Sequence, residues 1–264
     1  MLTALVPWAA LLAAVGVSAA FLLRMRRRTR VLEARLAAAA QSLEALQRAF
    51  SRFAPAAVVE DIIAQGVSPR PEKKEITVLF ADLQGFTALG EQLDPELLVR
   101  VLNAYFERMS QAIDAHRGHV AKFIGDGILA LFGGLEPNPW QTSDAVHAAL
   151  AMRHGLAEVS ARFAGDGVPR LGMGIGIHRG TAVAGVIGSA ELVEYGVIGS
   201  TVNLAARVEQ LTRLHAVDIL VTEAARTALD ARFRLRAMPP AEVKGVGAPL
   251  VTFAVESYEP SLPS

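Results

Sequence analysis

HVAKFIGDGILALFG, residues 119–133, is the stretch that decides the fold. Two short apolar runs flank Gly125-Asp126-Gly127, which predicts a β-hairpin with Asp126 at its tip. Upstream, EITVLFADL (75–83) is β-branched, apolar and bounded by charge, and predicts a strand. Between the two, Leu97, Leu98, Val101, Leu102, Tyr105, Met109 and Ile113 recur at helical spacing and predict a helix over Pro95–His116. Downstream, a helix is expected from Thr142 to Phe163. LGMGIGIHRGTAVAGVIG (171–188) reads as a second hairpin turning at Arg179-Gly180, and Thr201–Thr212 as another helix. DILVT (218–222) is a strand, with further strands near Phe233–Ala237 and Leu250–Val255. The order β-α-β-β-α-β predicts an α+β, ferredoxin-like sandwich with its helices on one face of the sheet.

The hairpin belongs to a globular region expected over 74–257, followed by a polar tail, 258–264. The preceding segments differ in character. Leu2–Leu23 carries no charge, and a helix of about 20 such residues crosses a bilayer. Five arginines lie in RMRRRTR, 24–30. Positive flanks stay inside, so residues 1–23 are expected to be a single-pass anchor in the cytoplasmic membrane, in contact with lipid, with the rest of the chain in the cytoplasm. A cleaved signal peptide is the rival reading, although the arginines stand on the wrong side of the apolar run for one. Over 24–53, Leu32, Leu36, Ala39, Leu43, Leu46, Phe50 and Phe53 are spaced alternately four and three apart. That pattern suits a short parallel coiled coil, or one amphipathic helix lying on the domain. Residues 54–73, punctuated by prolines and Gly66, read as a helical connector.

Lys plus Arg and Asp plus Glu each number 26, so the formal net charge is zero and nothing points to a nucleic-acid partner. The absence of cysteine excludes disulfides and thiolate metal sites. The six histidines have no metal-binding spacing.

The chemistry-bearing candidates are oxygen and nitrogen groups. Asp82 ends the first strand, where an acid is costly to bury without a partner. If Asp82 and Asp126 meet, two hard oxygen ligands suit Mg²⁺ or Mn²⁺ with a triphosphate. An Asp between glycines is equally at home as a plain turn residue. Gly85 and Phe86 follow Asp82 at a strand-to-helix turn whose N–H groups could face an anion. Asn203 and Arg207, four apart, share a helix face, as ordinary solvated pairs also do. Lys122 and Lys244 are individually unremarkable.

Together, VLFADLQGFT, KFIGDGILALFG, GIGIHRGTAVAGVIGS, EYGVIGSTVNLAARVE and EVKGVG, in that order, resemble the class III nucleotidyl cyclase catalytic domain over about residues 75–255. The resemblance implies an adenylate cyclase that forms cyclic AMP from ATP as a homodimer, with two Mg²⁺ or Mn²⁺ ions per site. By the same resemblance, Asp82 and Asp126 match the metal-binding aspartates. Lys122 matches the adenine-reading lysine, where guanylyl cyclases tend to carry Glu. Asn203 and Arg207 match the pair that positions the ribose and stabilises the transition state, and Lys244 matches a phosphate-binding lysine. Gly196 stands where a second purine-selecting side chain is usual, so half of that readout is missing. A cyclase-like domain without activity is the alternative from another functional class.

Overall fold

The computed structural model describes residues 24–30, 32–42, 71–134, 136–188 and 193–260. The chain divides into two compact units, residues 1–59 and 60–264. In the first, residues 24–30 and 32–42 are helical, and Leu32 and Leu36 of the heptad pattern are exposed. The expected membrane anchor (1–23), most of the connector, and Leu43, Leu46, Phe50 and Phe53 lie outside the described residues. Among the described residues, no helix is long and apolar enough to cross a membrane.

The second unit is built on β1 (Glu72–Gln84), followed by the short helix α1 (Phe86–Gln92) and by α2 (Pro95–Asp114). Next come β2 (His119–Ile124), β3 (Gly127–Phe132) and α3 (Gln141–Phe163). After these lie β4 (Gly172–Gly188), β5 (Val193–Ile198), α4 (Ser200–His215) and β6 (Ile219–Thr222). The short α5 (Glu223–Arg226), β7 (Phe233–Ala237) and β8 (Thr252–Tyr258) complete it. The described strands form one sheet in the order β2-β3-β1-β4-β6-β8-β7, with β5 paired to β4. Its first four strands have the expected ferredoxin-like order, and the rest extend it.

Two expectations need correction. Residues 172–188 are one strand, not a hairpin: β1 and β4 pair antiparallel without a break from Glu72↔Ala184 to Gln84↔Gly172. Arg179 lies mid-strand and grips Glu75 through two hydrogen bonds of 3.0 and 3.1 Å. Gly180 serves close packing rather than a turn, since a Cβ there would come within 2.9 Å of Thr201 Oγ1. The real hairpin joins β4 to β5. The second concerns α4: the two helices of the ferredoxin-like order, α2 and α3, do share one face, but α4 lies on the other. α2 and α3 cover one face of the sheet, where Tyr105, Met109, Ile113 and Met152 pack on Leu79, Ala81, Ile128 and Ile177. α4 covers the other, with Ala205 against Ile76, Val78 and Leu131.

Period-two alternation in β1 assigns the faces. Leu79, Ala81 and Leu83 turn to α2 and α3, whereas Val78 turns to α4 and Asp82 falls on that same side. In β4, Met173, Ile175 and Ile177 enter the large core while Gly174 and Gly176 lie beneath α4. A Cβ on Gly176 would stand 2.2 Å from Glu209 N and 2.4 Å from Ala205 O, both backbone atoms. His178, on the same side, bonds Thr222 Oγ1 through Nδ1 at 2.8 Å. Burial lowers its pKa to about 4, so it is a neutral structural group.

Gly176→Ala should therefore force α4 off the sheet and destabilise the domain by about 2–3 kcal/mol. Gly165→Ala, where a Cβ meets nothing within 4 Å, should stay within about 0.5 kcal/mol of wild type. Denaturant midpoints of the two variants decide it, and equal midpoints would refute the close-packing account.

Candidate functional site

The sheet brings Asp82 and Asp126 together at the C-terminal end of β1. The Gly125–Gly127 turn sets Asp126 there, with Gly125 left-handed at φ +63°. A Cβ on Gly127 would lie only 3.3 Å from Asp82 Oδ1. Burial, then the charge of Asp82, raises the Asp126 carboxyl above its usual range, opposed by a backbone hydrogen bond from Leu83. Two acids that disfavour each other's charge are what a cation would relieve. Among the described residues no group of three or more acidic, histidine or cysteine side chains forms a metal cage. A carboxylate pair fits the way Mg²⁺ is ordinarily held, by one or two carboxylates with phosphate and water completing the shell.

Three residues that sequence reasoning did not single out surround the pair. Arg213, near the C-terminus of α4, donates from Nη2 to Asp82 Oδ2 at 2.7 Å. That hydrogen bond is the main reason its own pKa is raised. Glu209, one turn earlier and 2% exposed, lies 3.5 Å from Arg213 Nη1. Burial raises Glu209 to about 7; Asp82 and Asp126 push the same way and Arg213 opposes them. Tyr105, fully buried in α2, is raised by burial and then by Asp82, Asp126 and Glu209. Its hydroxyl and Glu209 Oε1 are both buried without a hydrogen-bond partner. The i, i+4 spacing of Glu209 and Arg213 was visible in ARVEQLTR, but only the fold shows that it faces Asp82.

The remaining candidates gather elsewhere. Asn203 and Arg207 of α4, with Gln210, Glu242 and Lys244, line a groove of about 430 Å³. Arg207 Nη1 donates to the Lys244 carbonyl. Gly245, left-handed at φ +75°, makes that turn, and a Cβ there would meet Arg207 Nη1 at 2.9 Å. Six residues separate Arg207 from Arg213, about 9 Å along the helix and about 120° round it. One helix thus presents one group to the groove and another to the carboxylate pair. Lys122 is half-buried on β2, beside a register shift after Val120. Gly85, left-handed at φ +74°, opens α1 with no side-chain cap, and Phe86 packs against the main core. Gly196 is buried on β5 opposite Gly185. A larger cleft of about 960 Å³ includes Gln84, Gly85 and Arg213 in its walls. Its Arg153, Arg213 and Arg236 already hold Asp218, Asp82 and Glu256, so it offers less free positive charge than its arginines suggest.

Residues 69–257 match the family described as the adenylate and guanylate cyclase catalytic domain. An adenylate cyclase of Anabaena cylindrica is 38% identical over 182 residues, which cover 66% of this chain and 35% of the relative. The chain therefore spans about a third of that relative's length. Among solved structures, the guanylyl cyclase Cya2 superposes with a TM-score of 0.68 at 36% identity, covering 72% of this chain and 95% of that one. The adenylyl cyclase CyaB from P. aeruginosa gives 0.68 at 28% identity, covering 74% and 100%.

Because Glu209 rises from 4.5 in the unfolded chain to about 7 in the fold, its proton favours the folded state. That contribution is full below about pH 4.5 and is lost as pH climbs through 7. Glu209→Gln, which cannot ionise, should therefore gain stability relative to wild type between about pH 5 and 8 in chelator-treated protein. Denaturation at several pH values measures it, and a stability difference independent of pH would refute the buried acid.

Proposed function

We propose that this chain, which belongs to the adenylate and guanylate cyclase catalytic domain family, is an adenylate cyclase that converts ATP to 3′,5′-cyclic AMP and pyrophosphate. The observation that carries the reading is the meeting of Asp82 and Asp126 at the end of β1. Those two carboxylates would hold Mg²⁺ or Mn²⁺. When bound, the metal supplies Lewis-acid activation of the ribose 3′-hydroxyl and neutralises the triphosphate.

The protein's own groups do the rest. Lys122 donates to an acceptor on the adenine edge; a lysine has no acceptor for the hydrogens that guanine presents. That favours ATP, even though one of the similar structures is a guanylyl cyclase. Gly196 adds no second contact to the base. Asn203 orients the ribose, and Arg207 donates to the oxygens of the α-phosphate as charge develops there, an effect worth about 3–4 kcal/mol. Lys244 pairs with the outgoing phosphates, and the N–H groups after Gly85 face them. The ribose 3′-hydroxyl gives up its proton to water as its oxygen attacks the α-phosphorus in line, and the bond to the bridging oxygen breaks to release pyrophosphate.

Neither Asp82 nor Asp126 lines the groove of Asn203, Arg207 and Lys244 in the same chain, which supports a site completed by a second copy. In a two-fold homodimer, one chain gives the aspartates and its partner gives Lys122, Asn203, Arg207 and Lys244. Residues 24–53 would pair the two chains as a coiled coil. Residues 1–23 would anchor them in the cytoplasmic membrane, which raises the local concentration of the partner domain. The cyclic nucleotide would then serve intracellular signalling.

Cyclic AMP formation from ATP with Mn²⁺ is the direct test. Asp82→Ala and Asp126→Ala should each lose nearly all turnover with the fold intact, and Lys122→Glu should cut ATP use strongly without a clean switch to GTP. Near-normal ATP turnover in any of the three would overturn that residue's assignment.

A second test addresses the shared site. Asp82→Ala and Arg207→Ala should each be nearly dead alone. Random exchange makes half the dimers mixed, each with one intact site of two, so the mixture should recover about a quarter of wild-type activity. No recovery, with exchange shown independently, would place each site within one chain.

A further inference from the structure

Arg213 is absent from the residues that the sequence singles out, yet it bonds directly to Asp82. Its Nη2 lies 2.7 Å from Asp82 Oδ2 and its Nη1 3.5 Å from Glu209 Oε1. The side chains alone differ sharply in exposure: that of Arg213 is 44% exposed and that of Asp82 26%, whereas that of Glu209 is buried. One planar guanidinium fork therefore spans a carboxylate near solvent and a carboxylate in the interior. A lysine, as a single point charge, would not bridge them in the same way.

The two ends of this bridge are unequal. Glu209 is held beneath α4 by the space that Gly174 leaves, since a Cβ there would stand 2.5 Å from Glu209 Oε1. When ionised, a carboxylate so buried is stabilised by a cation, and the one a single helical turn away is Arg213. Among the described residues, Arg213 is the cation paired with Glu209. On the other side, Asp82 accepts from Arg213 through Oδ2, and it is one of the two acids that would hold a divalent cation. The guanidinium and the metal would thus be rivals for Asp82, and the guanidinium has Glu209 to fall back on.

We infer that Arg213 is a resident counter-ion of the carboxylate pair, bound to Asp82 in the metal-free protein and handed over to Glu209 when a divalent cation enters. The inference rests on the reading of Asp82 and Asp126 as metal ligands. Arg213 then acts as a positioning residue that sets how much metal is needed to load the site, and Glu209 acts only through it.

The test uses Mn²⁺ alone with the full chain and no nucleotide, the free ion being counted by electron paramagnetic resonance. Arg213→Gln removes the rival and should tighten Mn²⁺ binding about tenfold, the worth of one charge-assisted hydrogen bond. Glu209→Gln removes the fallback, leaves Arg213 on Asp82, and should weaken binding several-fold. In the Arg213→Gln background, Glu209→Gln should change affinity by less than about twofold, because its effect passes through Arg213. Unchanged or weaker binding in Arg213→Gln would overturn the inference. So would an equal loss from Glu209→Gln in both backgrounds, which marks a direct charge effect. Asp82→Asn separates the two levels: unchanged Mn²⁺ affinity there would sink the metal-site reading itself. Lost affinity there, with Arg213→Gln like wild type, would sink only the hand-over.

Discussion

Helix α4 can lie where it does only because Gly174 and Gly176 of β4 present no side chain to it. The backbone of the helix sits within contact distance of the strand, closer than any Cβ permits. That approach fixes how far along the sheet α4 runs, and hence that Arg213 arrives at the end of β1 while Asn203 and Arg207 remain by the Lys244 turn. A helix riding on alanines would stand further out, and the contact of 2.7 Å between Arg213 and Asp82 would open. Packing density here sets the electrostatics of the site, because charge-assisted bonds weaken steeply with distance.

The charges around Asp82 form a system rather than a set of pairs. Asp126 and Glu209 are both pushed toward the neutral form, by burial first and by their acidic neighbours next. Tyr105, with an unpartnered hydroxyl, feels the same field. Arg213 is the cation that bonds into this cluster. Such an arrangement holds more negative potential than the fold alone needs, which is the usual signature of a place built to receive positive charge.

Much of this was legible in the sequence, and the failures are informative. The hairpin at Asp126 was readable because a glycine pair around an acid admits few structures, and its partner Asp82 was marked by being the acid at the end of an apolar strand. The second hairpin was misread because Arg179-Gly180 looks like turn chemistry. The alternation of glycine with Met173, Ile175 and Ile177 was a two-faced strand pattern instead, with glycine standing where an apolar residue normally would. Helices were expected on one face since periodicity reports that a helix has an apolar side, not which sheet face it meets. Arg213 and Glu209 escaped notice because an i, i+4 ion pair on a helix is ordinarily a surface feature. Only the tertiary fold, which buries Glu209 and aims Arg213 at residue 82, makes them part of the site.

The place of β2 at the border of the sheet carries a consequence of a different kind. A border strand exposes unpaired backbone groups, and β2 also shows Phe123 and Ile124 to solvent, at 48% and 50% exposure. Such an edge invites edge-to-edge aggregation, which proteins blunt with irregular pairing and with lysine. β2 has both: the register shift after Val120, and Lys122 itself. If Lys122 meets the nucleotide base as proposed, its charge would also help keep this border from pairing with another, so colloidal behaviour as well as catalysis would bear on one residue.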